Sequence, residues 1–595
     1  MIAVHVTHEA VEKMGGIGAV VEGLVTTAAY QGQFERNILV GPLFTTDRPA
    51  AERLGADGRV LYSSLDGIDV GGWADKFRPI ERTYGVGIVY GLRTITAPAS
   101  DSAAEVEVLL VDVFRCNSDR LNLFKFELYK RYNIPSERFE GVWEFEQYVR
   151  LAEPAWEALH AIGARGEESN LMVVFAHEYM GMPTALKAMM DGDMEVRTVF
   201  YGHEAASVRS VVEEHPGHDL MFYRLLAAAR QDGKSLEDFF PQVRDFFKHP
   251  LVKAARSCDA IFAVGDYVGE EMRFLSPDSQ EMPIEVVYNG VPAVPTTFEQ
   301  RMAHRRRMIE YARNLFGFEP DYIITHVARP VLSKAIWRDL GVMHELDSLL
   351  AKRGKTAVCF QLGTLAGTRR IKDVLHMERL YGWPVHHKES YPDLCNGEET
   401  LGGMFEAFNR DHAAIRVVQV NQFGWQRRLC GQRMPEESSI ADVRQGTDVE
   451  FGLSIYEPFG ISQLEPLSGG AICLVSDVCG CLGLARHYCG GNLPANILAA
   501  DYVRRGQAGD SQAAARLGAK ERLLVERDEN RRLAVELDRR LPANEAAMAR
   551  LLKSGWQLAS RMGWQQVVAD YVLPGVRQAC EQDQLNGKAC AASAG

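Results

Sequence analysis

The stretch VEFGLSIYEPFGISQLEPLSGG runs from Val449 to Gly470 and changes character twice. VEFGLSI (449–455) is a short apolar run of strand type. YEPFG carries Pro458 and Gly460 and reads as a turn. ISQLEPL reads as a short helix stopped by Gly469 and Gly470, after which AICLVSD (471–477) opens another strand. Strand, helix and strand in this order describe a parallel pair joined by a crossover, the building unit of an α/β sheet covered on both faces. Two acids, Glu457 and Glu465, lie eight positions apart in the stretch. The first falls at a strand's carboxyl end. The second, on a continuous helix, lies about two turns along on the same face, roughly 10 Å away and too far for a shared-proton dyad. Spacing alone favours a solvated acid and a helix-start acid over a working pair.

The same alternation recurs along the chain. Strand candidates in the first half are 2–6, 37–41, 106–113, 171–177, 196–203 and 260–265, with helical stretches such as 17–30 and 139–162 between them. After a break at PAVPTTFE (292–299) come 322–329, 356–363, 414–422, 449–455 and 471–477. This layout predicts an α/β protein of two Rossmann-like domains of about 250 residues each. The boundaries expected are 1–295, 296–555 and a closing segment 556–595. Residues 364–412 read as a polar insertion, and 506–545, with charges of both signs at helical spacing, as an exposed helix or helical pair.

The 595 residues are 46% hydrophobic and 24% charged, ordinary for a globular protein. A net charge of −13 argues against nucleic acid or an acidic membrane as general partner. Eleven cysteines are scattered without a zinc spacing and read as reduced thiols. MIAVHVTHEAVEK has no leader pattern, and no apolar run approaches the roughly 20 residues of a membrane helix. A cytoplasmic location is the expectation.

Three further features bear on chemistry. KMGGIG (Lys13–Gly18) follows the first strand and opens a helix, where glycines admit a ligand and helix-start N–H groups attract anions. Its spacing is not the dinucleotide fingerprint, and a tight turn without ligand explains it as well. RPVLSK places Arg329 and Lys334 just past a strand end, where ligands of open α/β sheets bind and where two cations can grip a diphosphate. His177–Glu178 and His203–Glu204 each end a strand candidate. One such histidine is commonly structural; two at the edge that carries the glycine loop suggest a pocket wall.

In their order these pieces resemble the GT-B glycosyltransferases, specifically the retaining group of glycogen and starch synthases and their nucleotide-sugar relatives. K-x-G-G at Lys13–Gly16, FAHEYMGMP, FYGHE, VVYNGVP, R-x4-K at Arg329 and Lys334, E-x7-E at Glu457 and Glu465, and SRMGWQQVVADYV (560–572) carry the resemblance over nearly the whole chain. It implies two domains facing across a cleft, with a C-terminal helix crossing back to the first. It also implies roles. Arg329 and Lys334 would hold the donor diphosphate and offset charge on the leaving nucleotide. Glu465 would accept the ribose hydroxyls and Glu457 those of the transferred sugar. His203 would lie beside the sugar. Gly15 and Gly16 would close over the donor, Gly460 would line it, and Lys13, His177 and Glu178 would serve the acceptor or sugar side. The sequence departs from the family at Ala19, Glu178 and Ala335, where aspartate, aspartate and glycine are usual.

The activity so implied is a hexosyltransferase moving glucose from ADP- or UDP-glucose to an α-glucan, with neither cofactor nor metal. RFEGVWEFEQYVRLAEPAWEALHAI (138–162) favours the glucan acceptor. A small acceptor such as a sugar phosphate is the alternative. A silent carbohydrate-binding protein or a sugar-nucleotide epimerase is the alternative of another class. The expected partners are the nucleotide sugar and the glucan or small sugar, with an oligomer left open.

Overall fold

A computed structural model of the chain describes residues 1–581 except 14, 56, 98–101 and 508. The chain divides into two compact units. One comprises residues 1–208, 233–290 and 564–595, the other 209–232 and 291–563. Residues 582–595 of the closing segment lie outside the described residues.

The first unit is built on a ten-stranded sheet. In chain order its strands are β1 (Ile2–Val6), β2 (Arg36–Pro42), β3 (Gly58–Ser63), β4 (Ile68–Asp69), β5 (Gly87–Thr96), β6 (Ala103–Asp112), β7 (Met172–His177), β8 (Val196–Gly202), β9 (Ala260–Ala263) and β10 (Ile284–Val286). They are ordered β10-β9-β8-β7-β1-β2-β6-β5-β3-β4. The centre is parallel, with His5 opposite Phe175 and His177 opposite Tyr201. β3 to β5 run antiparallel to their neighbours. Among these, β3, β4 and β5 escape the sequence reading because they form the sheet's edge and mix exposed with buried positions. Along β1, Ile2, Val4 and Val6 enter one core layer with Val174, Trp156 and Leu159. Period-two alternation therefore turns His5 to the opposite face. The closing helical segment begins at Trp564, against whose indole a Cβ on Gly23 or Gly290 would stand 2.1 or 2.5 Å away. Only glycine lets the two backbones approach that ring.

The second unit is built on a six-stranded parallel sheet: β11 (Tyr322–Val327), β12 (Ala357–Leu362), β13 (Ile415–Val420), β14 (Val449–Gly452), β15 (Ile472–Ser476) and β16 (Ile497–Ala500). The order is β13-β12-β11-β14-β15-β16. Successive residues feed opposite layers. Ile324, Cys359 and Val417 pack on one side and Ile323, Val358 and Val418 on the other. Both faces are covered, which is why these strands read as unbroken apolar runs. The insertion contains the helices Ile371–Tyr381 and Glu398–Asp411. The charged stretch contains the helix Ala519–Arg540.

Residues 209–232, kept with the first domain by sequence order, pack in the second unit. The reason is electrostatic and apolar at once. Arg338, fully buried, forms a two-pronged hydrogen bond with Asp219 at 2.7 and 2.9 Å and reaches Glu526 at 2.9 Å. Its guanidinium also lies 4.0 Å from the Tyr502 ring centre. A charge so buried requires such partners.

Candidate active site

In the second unit, the parallel neighbours β11 and β14 deliver their following loops to the same sheet edge. After β11, Arg329 is exposed and its side chain has no partner among the described residues. A single 3-10 turn, Leu332–Lys334, then presents Lys334. Its successor Ala335 sits at φ 49°, ψ 44°, a left-handed conformation that a side chain disfavours. A glycine would adopt this conformation without that cost. The Ser333 carbonyl accepts from Ile455 N–H at 2.9 Å and Tyr456 N–H at 3.4 Å, sewing the two loops together.

That stitch brings Lys334 onto Glu457, where its ammonium donates to Oε2. The Gln463 amide donates to the same oxygen at 3.2 Å and to Ser454 Oγ at 3.2 Å. Glu465 has a cation of its own, Arg444, which also stands 3.9 Å from the buried Glu450. The continuous helix expected to carry Glu465 is corrected here. Helix Ile461–Leu464 begins only after Gly460, at φ 89°, so Glu457 precedes the helix and Glu465 opens a 3-10 segment, Glu465–Gly469. The result is two acid–cation pairs, Lys334–Glu457 and Arg444–Glu465. Arg444 was not among the sequence candidates. It sits on Ile440–Gly446, with no motif to mark it.

In the first unit, Gly15 and Gly16 lead into the helix Ile17–Val25. The helix start is already served by the chain's own Glu9, which accepts from Gly18 N–H at 2.9 Å. A Cβ on Gly15 or Gly18 would stand 2.9 or 2.8 Å from the Glu9 carboxylate oxygens. Lys13, expected as a charge for the sugar side, is paired with Glu22. Burial, then the neighbouring Arg93, lowers its pKa, against the pull of Glu9.

His177 ends β7 and His203 follows β8. His177 Nδ1 lies 2.8 Å from His203 Nε2, with the rings stacked at 5.1 Å and 14°. A third ring, His5 of β1, lies 2.9 Å from His177 Nε2 and 2.8 Å from the Tyr30 hydroxyl. Burial drives His203 and His5 down to about 3, and His177 well below its ordinary value, so all three rings are neutral. His5 escaped the sequence reading; the available signal was a lone histidine inside an otherwise apolar strand. Glu178 is buried at φ 59° and accepts from Glu204 N–H at 2.6 Å. Burial, then the Glu204 charge, raises its pKa well above the ordinary carboxyl range, against the backbone N–H groups that favour its charged form. Among the described residues no group of three or more His, Cys, Asp or Glu is placed to hold a metal, and no helix is long and apolar enough to cross a membrane.

Among solved structures, the catalytic domain of starch synthase IV from Arabidopsis thaliana, bound to ADP and acarbose, matches with a TM-score of 0.53. The match covers 97% of this chain and 99% of that one at 12% identity. The fold is that of the GT-B glycosyltransferases. An α,α-trehalose-phosphate synthase (UDP-forming) from Burkholderia xenovorans matches at a TM-score of 0.46 and 12% identity, over 97% of this chain and 98% of that one. Sucrose-phosphate synthase from Thermosynechococcus elongatus matches at 0.46 and 14%, over 99% of each chain. No family model and no curated protein matches the sequence. Within this GT-B chain, one unit offers two acid–cation pairs beside a free guanidinium, suited to anionic and hydroxyl groups on one ligand. The other offers a neutral imidazole row beside a glycine turn.

Proposed function

We propose that this chain is a retaining hexosyltransferase that moves glucose from ADP- or UDP-glucose to an α-glucan. The observation that carries the reading is the pairing of Lys334 with Glu457 at the edge where β11 and β14 end, together with the Arg444–Glu465 pair. A nucleotide sugar presents a diphosphate between two polyols. Cations for the first and carboxylates for the second are the complementary set. The likeness in fold to a synthase solved with ADP and acarbose supports the same ligand class.

On this reading Arg329 and Lys334 take the diphosphate, Glu457 the hydroxyls of the transferred sugar and Glu465 the ribose. As the C1–oxygen bond breaks, its electrons pass to the departing diphosphate. The acceptor hydroxyl oxygen bonds to C1 and gives its proton to the departing phosphate oxygen, and the two cations offset the remaining charge. Glu457 and Gln463, hydrogen-bonded to each other, hold the hexose in register with the leaving group. His203, neutral, contributes a hydrogen bond and no charge.

The test is nucleotide release by the purified protein with ADP-, UDP- and GDP-glucose, each with glycogen, with glucose 6-phosphate and without acceptor. Glycogen-dependent release from one of the first two donors is expected. Release only with the sugar phosphate would replace the acceptor, and no release with any pair would remove the transferase reading.

A further inference from the structure

The imidazole row runs Tyr30, His5, His177, His203 through the interior of the first unit. Each link is a single hydrogen bond of 2.8, 2.9 and 2.8 Å. The links leave each ring one nitrogen toward each neighbour, so the row has only two self-consistent proton arrangements when the rings are neutral. In one, every proton is donated away from Tyr30: its hydroxyl to His5 Nε2, His5 Nδ1–H to His177 Nε2, and His177 Nδ1–H to His203 Nε2. His203 then carries its proton on Nδ1, at the free end. In the other, every proton points toward Tyr30, and His203 Nδ1 is a bare lone pair.

The closed end decides between them. Tyr30 is fully buried and its hydroxyl has no partner besides His5 among the described residues. If His5 donated to it, the tyrosine's own proton would be buried without an acceptor, which is costly. The neighbouring Tyr201 hydroxyl, itself buried, makes no hydrogen bond and does not receive that proton. The opposite end tolerates either state, because His203 is only partly buried and its Nδ1 has no partner among the described residues. The rings are held in plane by stacking: His5 on Phe175 at 4.9 Å, and Tyr201 on His177 and His203 at 5.3 and 4.7 Å.

We propose that Tyr30, acting through His5 and His177, holds His203 as the Nδ1–H tautomer, so that the site receives a hydrogen-bond donor and not a base. Tyr30, His5 and His177 are positioning residues in this account. The group that suits His203 Nδ1 is an oxygen acceptor, such as a hydroxyl or ring oxygen of a hexosyl group. His203 therefore does not take the acceptor's proton. The assignment of the hexosyl group rests on the transferase reading above; the tautomer does not.

Magic-angle-spinning NMR of the full chain with ring-15N histidine tests the tautomer directly, the three signals being assigned by their loss in His5→Gln, His177→Gln and His203→Gln. In the wild type all three rings are expected to be protonated at Nδ1. In Tyr30→Phe, with the deciding donor gone, the His203 signal is expected to shift toward a mixture with the Nε2–H form. Activity of that variant is expected to fall roughly 2- to 10-fold in kcat with donor KM little changed. Nε2-protonated or doubly protonated rings in the wild type would overturn the proposal, as would an unaltered His203 tautomer in folded Tyr30→Phe. Should Tyr30→Phe fail to fold, the wild-type spectrum alone still decides. Nδ1–H rings in a protein that turns over no nucleotide sugar would uphold the tautomer while removing the transferase reading, so the two failures are separable.

Discussion

Lys334 and Glu457 hold each other directly, with side chains 23% and 12% exposed. The pair is mostly withdrawn from water, and desolvation takes back much of what the attraction gains, so its net contribution to stability is small. Its value lies elsewhere, in keeping an ammonium and a carboxylate where a ligand with both phosphate and hydroxyl groups can use them. Lys334→Ala or Glu457→Gln is therefore expected to lower turnover by roughly two to three orders of magnitude, the usual cost of removing one transition-state contact. Tm is expected to fall as well, because the remaining partner is left largely out of water without its counter-charge. Near-normal rates with glycogen as acceptor would take these residues out of the site. Gly460 shows the opposite balance. Its backbone is left-handed at φ 89°, and a Cβ there would stand 2.8 Å from Glu457 Cγ and 2.9 Å from Gln463 Cδ. Gly460→Ala is expected to cost about 1 to 2 kcal/mol from the backbone alone, and to displace Glu457 as well. Denaturant titration beside the nucleotide-release assay would register both effects.

The strands that end at the candidate site were legible because their two faces are both buried. Val449–Gly452 and Ile472–Ser476 show no exposed position to interrupt the apolar run. The antiparallel edge strands were illegible for the converse reason. At the end of β15, Asp477 follows the last strand residue with Oδ1 buried and without a partner. Burial, then the charges of Asp501 and Asp219, raises its pKa from 3.8 to about 8. Because the folded value exceeds the ordinary one, the native state binds the extra proton between them, and stability falls as pH rises through that interval. Asp477→Asn is expected to flatten the fall and to raise Tm at pH 8, with little change near pH 4. Differential scanning calorimetry of both proteins across that range checks the sign. A steeper decline in the variant would show that the carboxylate is stabilised when charged.

At the scale of the whole molecule, neither compact unit is a single run of sequence. Helix His218–Ala229 belongs to the second unit, held there by the Asp219–Arg338–Glu526 cluster and by Arg224 donating to the Val503 carbonyl at 2.8 Å. Removing the Asp219 charge from so buried a cluster takes away the carboxylate that meets both prongs of the guanidinium and leaves Glu526 as its remaining carboxylate partner. Asp219→Asn is expected to destabilise the second unit by roughly 3 to 5 kcal/mol. Hydrogen exchange should show the loss first at 218–229, and unchanged protection there would mean that apolar packing alone anchors the helix.

Local chemistry in the sequence determined the α/β class, the central strands and the order of the glycine turn, the R-x4-K loop and the E-x7-E segment. Each of these is written within a few neighbouring residues, in apolar runs, helix breakers and spacing. Tertiary structure alone decided which acid meets which cation. Lys334 and Glu457 are 123 positions apart and become partners through the β11–β14 pairing. Arg444 with Glu465, Glu9 at the helix start, and His5 between Tyr30 and His177 in the imidazole row were settled in the same way. Strand register and burial bring such residues together, and neither leaves a periodic trace in the chain.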